Sequence, residues 1–384
     1  MLGAIIGDTV GSVYEFDNIK TTDFPLFTER SEFTDDSVMS VAVAEWLLRD
    51  KNHTHKELED SMVRYANRYR NPVGGYGGSF YRWLFCGRER KPYNSWGNGS
   101  AMRVNAVGWA FGTIEETLRV AEISASITHN HPEGIKGAQS VAAAIFLART
   151  GKTKAEIKEY VETRFGYDLS RTSDEIRPDY VFEESCQGTI PAAMAAFLDS
   201  TDFETAVRLA VSLGGDSDTI ACITGGIAEA FYGHIPEEIV KAIWPCLPDD
   251  FQHILQEMEK AWKYPLAVPP NRPRATLAES RCSICPAPWP SAAVPSPPRS
   301  SAHNPLISWY IPLWGSKSCP SILFLWFSSF AFLFDYLIGY FHGRLVVGCA
   351  GEMENRGVPR VVQNQRLRSD IGKRRRIIIF HFHF

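Results

Sequence analysis

The spacing of apolar residues in the first 265 positions is typical of helices. Residues 35–49 are apolar on nearly every side and contain neither Gly nor Pro, which predicts a helix that is buried over most of its surface. Residues 137–149 show the same pattern after their leading glycine. Because no segment alternates convincingly between apolar and polar residues, we predict an all-α fold. Further helical patterns cover residues 115–127, 190–198, 219–231, 237–244 and 251–262.

Two capping patterns predict where helices begin. Thr153 and Glu156 form a capping box ahead of apolar residues at helical spacing, so we expect an amphipathic helix after Thr153. Thr201 and Glu204 repeat the pattern and predict a second helix start.

The composition changes after Pro265. Pro and Ser accumulate between residues 286 and 298, and helical spacing with caps disappears. We therefore predict one folded domain at residues 1–265, followed by an irregular tail at 266–384 that is not a folded domain. Residues 322–341 are apolar over about the 20 residues that a membrane-spanning helix needs, but Asp335 interrupts them. A membrane anchor is thus the minority interpretation, and an appended or mistranslated segment is preferred.

The two parts also differ in charge. Residues 271–384 hold 14 Lys and Arg against 5 Asp and Glu, so the tail is near +9 and the preceding part near −13. An acidic domain disfavours a stable nucleic-acid partner, because binding a phosphate backbone needs clustered cationic side chains. The cysteines before residue 270 lack zinc or disulfide spacing, and the N-terminus lacks the basic segment of an export signal. We expect a cytoplasmic monomer.

Two acidic clusters stand directly before apolar helices. Asp35 and Asp36 follow Thr34, and in isolation an N-cap and the helix dipole explain all three. Their helix is apolar nearly all round, however, and a buried charge is costly unless a cation or hydrogen-bond donors meet it. Asp216 and Asp218 form the second cluster, after a glycine pair.

The second cluster does not fit a calcium-binding loop. Such a loop needs Gly at its sixth position and Glu at its twelfth, which are Ala221 and Ile227 here. The four carboxylates and their flanking hydroxyls are oxygen donors with no His or Cys beside them, which suits Mg²⁺ or Mn²⁺ rather than zinc. Two divalent ions would balance four carboxylates, and a pair ~3.5 to 4 Å apart can hold a substrate diol and activate water.

Three further polar segments have both a functional and a structural explanation. Residues 7–16 form a loop of small residues in which Glu15 is either a site residue or a solvated charge. Residues 97–103 predict a turn whose exposed amides suit a diphosphate, or a plain Asn-Gly turn. His131 lies in a polar run before a buried helix, where capping or anion contact is expected, and we assign it to ligand contact. Residues 74–80 either line an adenosine groove or form a plain loop.

These motifs together resemble the ADP-ribosylglycohydrolase family over residues 1–265. The resemblance rests on the order and spacing of four motifs: Gly7-Asp8 with Gly11 and Glu15, Thr34-Asp35-Asp36-Ser37, Gly97–Arg103, and Gly215–Thr219. Ser37 stands where many relatives have Thr, which preserves the hydroxyl. The resemblance implies an orthogonal multi-helix bundle with a metal site at helix N-termini and with Glu15 on a mobile flap. It implies two magnesium ions held by Thr34, Asp35, Asp36, Asp216, Asp218 and Thr219, and phosphate binding by Gly97, Asn98, Gly99, Ser100 and Met102.

The resemblance predicts a hydrolase that releases ADP-ribose from a modified protein side chain or a small ADP-ribose conjugate. The ions would hold two ribose hydroxyls, and Glu15, Asp36 or Asp218 would act as general base. The Tyr-Glu-Phe setting of Glu15 resembles the flap of the serine-type and acetyl-ADP-ribose-type relatives, and this resemblance slightly favours those acceptors. A non-catalytic ADP-ribose binder or structural protein is the alternative, disfavoured because all four metal carboxylates are retained. A two-metal phosphatase or nucleotidase is a weaker one.

Overall fold

A computed structural model describes residues 1–86 and 89–263, whose secondary structure is almost wholly helical, so the all-α prediction is confirmed for them. Strand-type pairing in this part is confined to two isolated bridges, between Thr34 and Val73 and between Gly97 and Ser185. The helices are Leu2–Gly11 (α1), Asp35–Arg49 (α2), His55–Arg68 (α3), Gly78–Phe85 (α4), Gly99–Met102 (α5), Val107–Ala110 (α6), Ile114–Ser126 (α7), Pro132–Arg149 (α8), Lys154–Phe165 (α9), Ser173–Ile176 (α10), Cys186–Asp199 (α11), Phe203–Ser212 (α12), Ser217–Tyr232 (α13), Glu237–Ile243 (α14) and Asp249–Trp262 (α15).

Helices α1 and α13 pack antiparallel with their backbones in close contact at the centre of the core. A Cβ at Gly7 would lie 1.9 Å from the carbonyl oxygen of Ala221, and one at Gly3 would lie 2.5 Å from that of Gly225. At the end of α1, a Cβ at Gly11 would lie 2.5 Å from Ser217 O. Glycine at every fourth position therefore brings the C-terminal end of α1 against the N-terminal end of α13.

Helix α2 has the predicted bounds, and Thr34 caps it as expected. The Thr34 hydroxyl accepts a hydrogen bond from the Asp36 amide at 3.2 Å. Most of the helix is buried, including Trp46. The capping box at Thr153 is also confirmed, because the Thr153 hydroxyl and the Glu156 carboxylate each accept from the other residue's amide. Both segments combine a good cap with regular apolar spacing.

Three expectations for helix starts were wrong. Residues 7–11 belong to α1 rather than to a loop, because tertiary packing overrides the low helix propensity of glycine. Helix α12 is capped by Asp202 with Thr205, not by Thr201 with Glu204, because the Asp202 carboxylate takes the Thr205 amide. Helix α8 begins at Pro132, before the expected residue 137, because a proline is well tolerated in the first turn.

The predicted boundary at Pro265, the tail and its apolar stretch at 322–341 lie outside the described residues. Within the described part, no helix combines the length and the hydrophobicity that crossing a bilayer requires.

Candidate metal centre

Three carboxylates meet beside the junction of α1 and α13. Glu15, Asp216 and Asp218 each offer an oxygen, and these oxygens all lie within 4.8 Å of one another. Asp216 and Asp218 are buried at the start of α13, whereas Glu15 is half-buried and follows the 3₁₀ turn Ser12–Tyr14. Oxygens around one small divalent cation are separated by about twice its ~2 to 2.5 Å ligand distance at most, so this cluster could hold a metal ion.

The first acidic cluster reaches the same place from α2. The Thr219 hydroxyl donates to Asp36 Oδ2 at 3.3 Å, which joins the two predicted clusters across 183 positions of sequence. Asp36 is 2% exposed, and its Oδ1 is buried without a hydrogen-bond partner in the described part of the chain. Asp35 is half-buried, and burial together with the charges of Asp8, Asp216 and Glu15 raises its pKa well above the ordinary value, which indicates that it lies near the cluster. The structure therefore brings together the four carboxylates that the sequence singled out.

Burial and mutual repulsion disfavour the ionised form of these groups. Burial raises the pKa values of Asp36 and Asp218 well above the ordinary range, and the carboxylates around them, including Asp216, raise both further. Burial, followed by the charges of Asp216, Asp8 and Glu184, raises the pKa of Glu15 to about 8. Among residues 1–86 and 89–263, no cationic side chain forms an ion pair with any carboxylate of the cluster. The concentrated negative charge thus has no counter-charge from the described side chains.

The buried Asp8 carboxylate accepts hydrogen bonds from the first turn of α2. It accepts from the Thr34 amide at 3.0 Å, from the Thr34 hydroxyl at 2.7 Å, and from the Ser37 amide at 3.0 Å and the Ser37 hydroxyl. Burial raises the pKa of Asp8 to about 6, against the lowering effect of these hydrogen bonds. With its oxygens so engaged, Asp8 acts as a capping residue for the first turn of α2, and it fixes the position of Asp35 and Asp36.

Asn98 connects the predicted phosphate turn to the carboxylates. Its Nδ2 donates to Asp216 Oδ2 at 2.7 Å and to the Thr189 hydroxyl at 3.1 Å, while its amide donates to Glu184 O at 2.7 Å. The short helix α5 turns Ser100 and Met102 into the core, where the Ser100 hydroxyl donates to Gly134 O at 2.7 Å. Of the predicted set, only Asn98 contacts the carboxylate cluster directly.

The glycines of that turn face a histidine that the sequence did not single out. His129 is 5% exposed, and its Nε2 lies 3.2 Å from where a Cβ of Gly99 would be. His131, which was assigned to ligand contact, is the N-cap of α8, where its Nδ1 accepts from the Glu133 amide at 3.1 Å. Its ring lies edge-on to the exposed Trp96. Both histidines sit in one polar run, and spacing alone gives no signal for which of them faces the turn.

The loop that carries Glu15 is tied to the turn before α13. Asn18 Nδ2 donates to the carbonyl oxygens of Glu15 and Gly215, both at 2.9 Å, and Asn18 Oδ1 accepts from the Gly215 amide at 2.7 Å. Gly215 has a φ of +71°, a left-handed conformation that favours glycine. On the outer side, the exposed ring of Phe16 lies nearly parallel to that of Phe182, with their centroids 6.3 Å apart.

Residues 1–264 match the family profile described as ADP-ribosylglycohydrolase. The ADP-ribosylhydrolase ARH3 of Mus musculus is 27% identical, over 62% of this chain and 84% of the relative. The ADP-ribosylarginine hydrolase Tri1 of Pseudomonas putida strain GB-1 is 26% identical, over 67% of this chain and 76% of the relative. A solved structure titled "ADP-ribosylglycohydrolase-related protein complex" shares the fold, with a TM-score of 0.54 at 22% identity over 69% of this chain and 96% of that one.

Proposed function

Because the chain belongs to the ADP-ribosylglycohydrolase family, we propose that it hydrolyses the glycosidic bond between ADP-ribose and a modified acceptor at a two-ion magnesium site. The observation that carries this proposal is the convergence of Asp36, Asp216 and Asp218 with Glu15 in a place where no described cationic side chain balances them. A family scaffold that served only a structural role would not need to maintain such costly charges.

The residues present fit hard divalent cations. Every candidate donor is an oxygen, and two carboxylate oxygens, Glu15 Oε2 and Asp36 Oδ1, are buried without a hydrogen-bond partner in the region described. An oxygen-only donor set favours Mg²⁺, and Mn²⁺ by the same chemistry. We assign the ions to Thr34, Asp35, Asp36, Asp216, Asp218 and Thr219.

When bound, the ions would supply Lewis acidity toward the ribose hydroxyls and the attacking water. Of the three candidates for general base, we favour Glu15 over Asp36 and Asp218, since it lies on a loop and is not needed to build either helix start. Water attacking the anomeric carbon would give its proton to the ionised Glu15 carboxylate as the bond to the acceptor breaks. The acceptor would leave with the bonding electron pair and take up a proton from solvent. The neighbouring carboxylates would stabilise the positive charge that develops on the ribose.

We place the diphosphate of ADP-ribose against the backbone at Gly97 and Gly99, with His129 Nε2 as an additional donor. Asn98 would then couple the two halves of the substrate site, because it belongs to this turn and donates to Asp216. Ser100 and Met102 support the turn from inside the core. His131, beside the exposed Trp96, is retained as a contact at the rim.

The test is a turnover assay with ADP-ribosyl-arginine, an ADP-ribosyl-serine peptide and p-nitrophenyl phosphate, each with magnesium or excess chelator. We expect release of ADP-ribose from at least one conjugate, with magnesium only. Asp218→Asn should abolish it, and the control Asp60→Asn should not, because Asp60 is a partly exposed residue of α3 that pairs with Lys56 on the surface. Hydrolysis of the phosphoester alone would identify a phosphatase. Tight ADP-ribose binding without cleavage of any conjugate would identify a non-catalytic binder.

A further inference from the structure

A fully buried arginine lies behind the turn at Gly97 and Gly99. The Arg103 side chain is 0% exposed, and its Nη2 donates to Ser124 O at 3.0 Å and to the Thr128 hydroxyl at 2.8 Å. Its guanidinium lies over the ring of Phe80, and within the described residues it forms no ion pair. Burial lowers the pKa of Arg103 to about 10, so the group remains cationic at neutral pH. A buried charge without a carboxylate partner is costly to the fold, which indicates that Arg103 has a function.

The hydrogen bonds of Thr128 determine which nitrogen of His129 carries the proton. A guanidinium can only donate, so the Thr128 hydroxyl oxygen must accept from Arg103. The same hydroxyl lies 2.7 Å from His129 Nδ1. If Nδ1 donated to it, the Thr128 proton would have no acceptor among the described groups; if the hydroxyl donates to Nδ1, both the Thr128 proton and the Nδ1 lone pair have a partner. The network therefore assigns the hydroxyl proton to the Nδ1 bond and places the ring proton on Nε2.

His129 Nε2 faces the turn. It lies 3.2 Å and 3.6 Å from the points where Cβ atoms of Gly99 and Gly97 would be, so the missing side chains leave its N–H uncovered on that side. Nε2 has no hydrogen-bond partner in residues 1–86 and 89–263, although the side chain is 95% buried. Burial lowers the pKa of His129 well below its ordinary value, and the charge of Arg103 lowers it further. The imidazole is therefore a neutral donor.

We propose that Arg103 is a positioning residue that acts through Thr128 to hold His129 with its Nε2–H directed at an anionic oxygen bound beside Gly97 and Gly99. The anion is a diphosphate of the nucleoside diphosphate class, and this part of the inference rests on the proposed function. Arg103 would then serve the substrate without touching it.

The first test is the nitrogen NMR spectrum of the imidazoles in the full chain, uniformly labelled with ¹⁵N. In the wild type, His129 should be neutral with its proton on Nε2 and a hydrogen-bonded Nδ1. ADP-ribose and inorganic diphosphate, each added with magnesium, should both shift the Nε2 resonance. A proton on Nδ1, or no response of Nε2 to either probe, would overturn the proposal.

The second test substitutes Thr128, which connects Arg103 to His129. Thr128→Val keeps the shape of the side chain but removes the hydroxyl, so Nδ1 should lose its hydrogen bond and the ring should lose its fixed orientation. Loss of one oriented hydrogen bond corresponds to a weakening of ADP-ribose binding of about three- to tenfold. Thr128→Ser should restore both the Nδ1 signal and the affinity, which a merely structural role does not predict.

Thr117→Val is the matched control. Thr117 is equally buried in α7, but its hydroxyl bonds to Thr113 O within the same helix, so its loss should change neither the His129 spectrum nor the affinity. Unchanged ADP-ribose affinity in folded Thr128→Val would refute the relay. A chain that binds ADP-ribose through His129 but cleaves no conjugate would refute the proposed hydrolysis while supporting this inference.

Discussion

Magnesium should stabilise the folded chain, and the effect should depend on the carboxylate cluster. Asp36, Asp216 and Asp218 are buried together, and burial raises the pKa of each above its ordinary value. Without cations, folding must therefore either protonate some of these groups or confine like charges. Ions that bind only the folded state remove this cost by mass action.

The size of the effect follows from the binding relation. At magnesium ~100 times its dissociation constant, one dominant site adds about 2.7 kcal/mol to the free energy of unfolding. For a domain of this size, 1 kcal/mol corresponds to roughly 2 °C in Tm, so chelation should lower Tm by about 5 °C. Differential scanning calorimetry with magnesium and with excess chelator measures the difference directly.

The Asp218→Asn variant should change Tm in opposite directions, relative to the wild type, in chelator and in magnesium. In chelator, this variant should melt at or above the temperature of the wild type, because one source of repulsion is removed while the amide oxygen can still accept from the Thr219 amide. With magnesium, it should gain little and should have lost hydrolysis. The surface control Asp60→Asn should respond to magnesium as the wild type does. A full magnesium response in both Asp36→Asn and Asp218→Asn, or undiminished hydrolysis in excess chelator, would refute the two-ion mechanism.

Four further predictions concern other features. In chelator, Tm should fall as pH rises from about 5 to 8. The pKa of Glu15 is ~4.3 in the unfolded chain and about 8 in the folded chain, so the stabilisation from its protonated form is complete below the unfolded pKa and is lost as pH rises through the folded pKa. A Tm that does not change with pH would contradict this. Glu15→Gln should lower turnover about 100-fold or more while the magnesium shift in Tm persists, and loss of that shift, as in Asp216→Asn, would exclude the flap role. Gly7→Ala should cost about 3 kcal/mol in urea unfolding, whereas Gly112→Ala, where a Cβ meets nothing within 4 Å, should cost little; equal effects would disprove the close helix contact. A chain ending at residue 265 should unfold cooperatively and remain active, and failure to fold would refute the predicted boundary.

The sequence was most informative where one local signal and one tertiary requirement agreed. Helix α2 was predicted with its correct bounds because Thr34 caps a run that is apolar on nearly all sides. Helix α1 was not predicted, because Gly3, Gly7 and Gly11 weaken the helical signal. Those glycines are favourable only because they let the backbone of α1 contact that of α13, and the sequence around each glycine does not indicate that contact.

In the site, too, the features with a local sequence signal were predicted, and the features that depend on tertiary packing were not. The acidic clusters could be identified as candidates, since two carboxylates heading a buried helix are hard to explain by capping alone. Their meeting through Asp36 and Thr219 depends on the packing of α2 against α13 and could be expected only from the family resemblance. The sequence did not indicate His129 as a site residue, because what distinguishes it is its contact with Gly99, which is 30 positions away in sequence and adjacent in space.

The backbone contact between α1 and α13 also limits how the centre can move. Where two helices meet without intervening side chains, no rotamer can change to absorb a displacement, and the pair behaves mechanically as one rigid rod. Glu15 follows one end of this rod and Asp216 precedes the adjoining end of the other helix. The helices therefore cannot widen the gap between these carboxylates by sliding. We therefore expect any opening that admits a bulky acceptor to come from the short segment between Gly11 and Asn18, which carries Glu15 outside the helix contact.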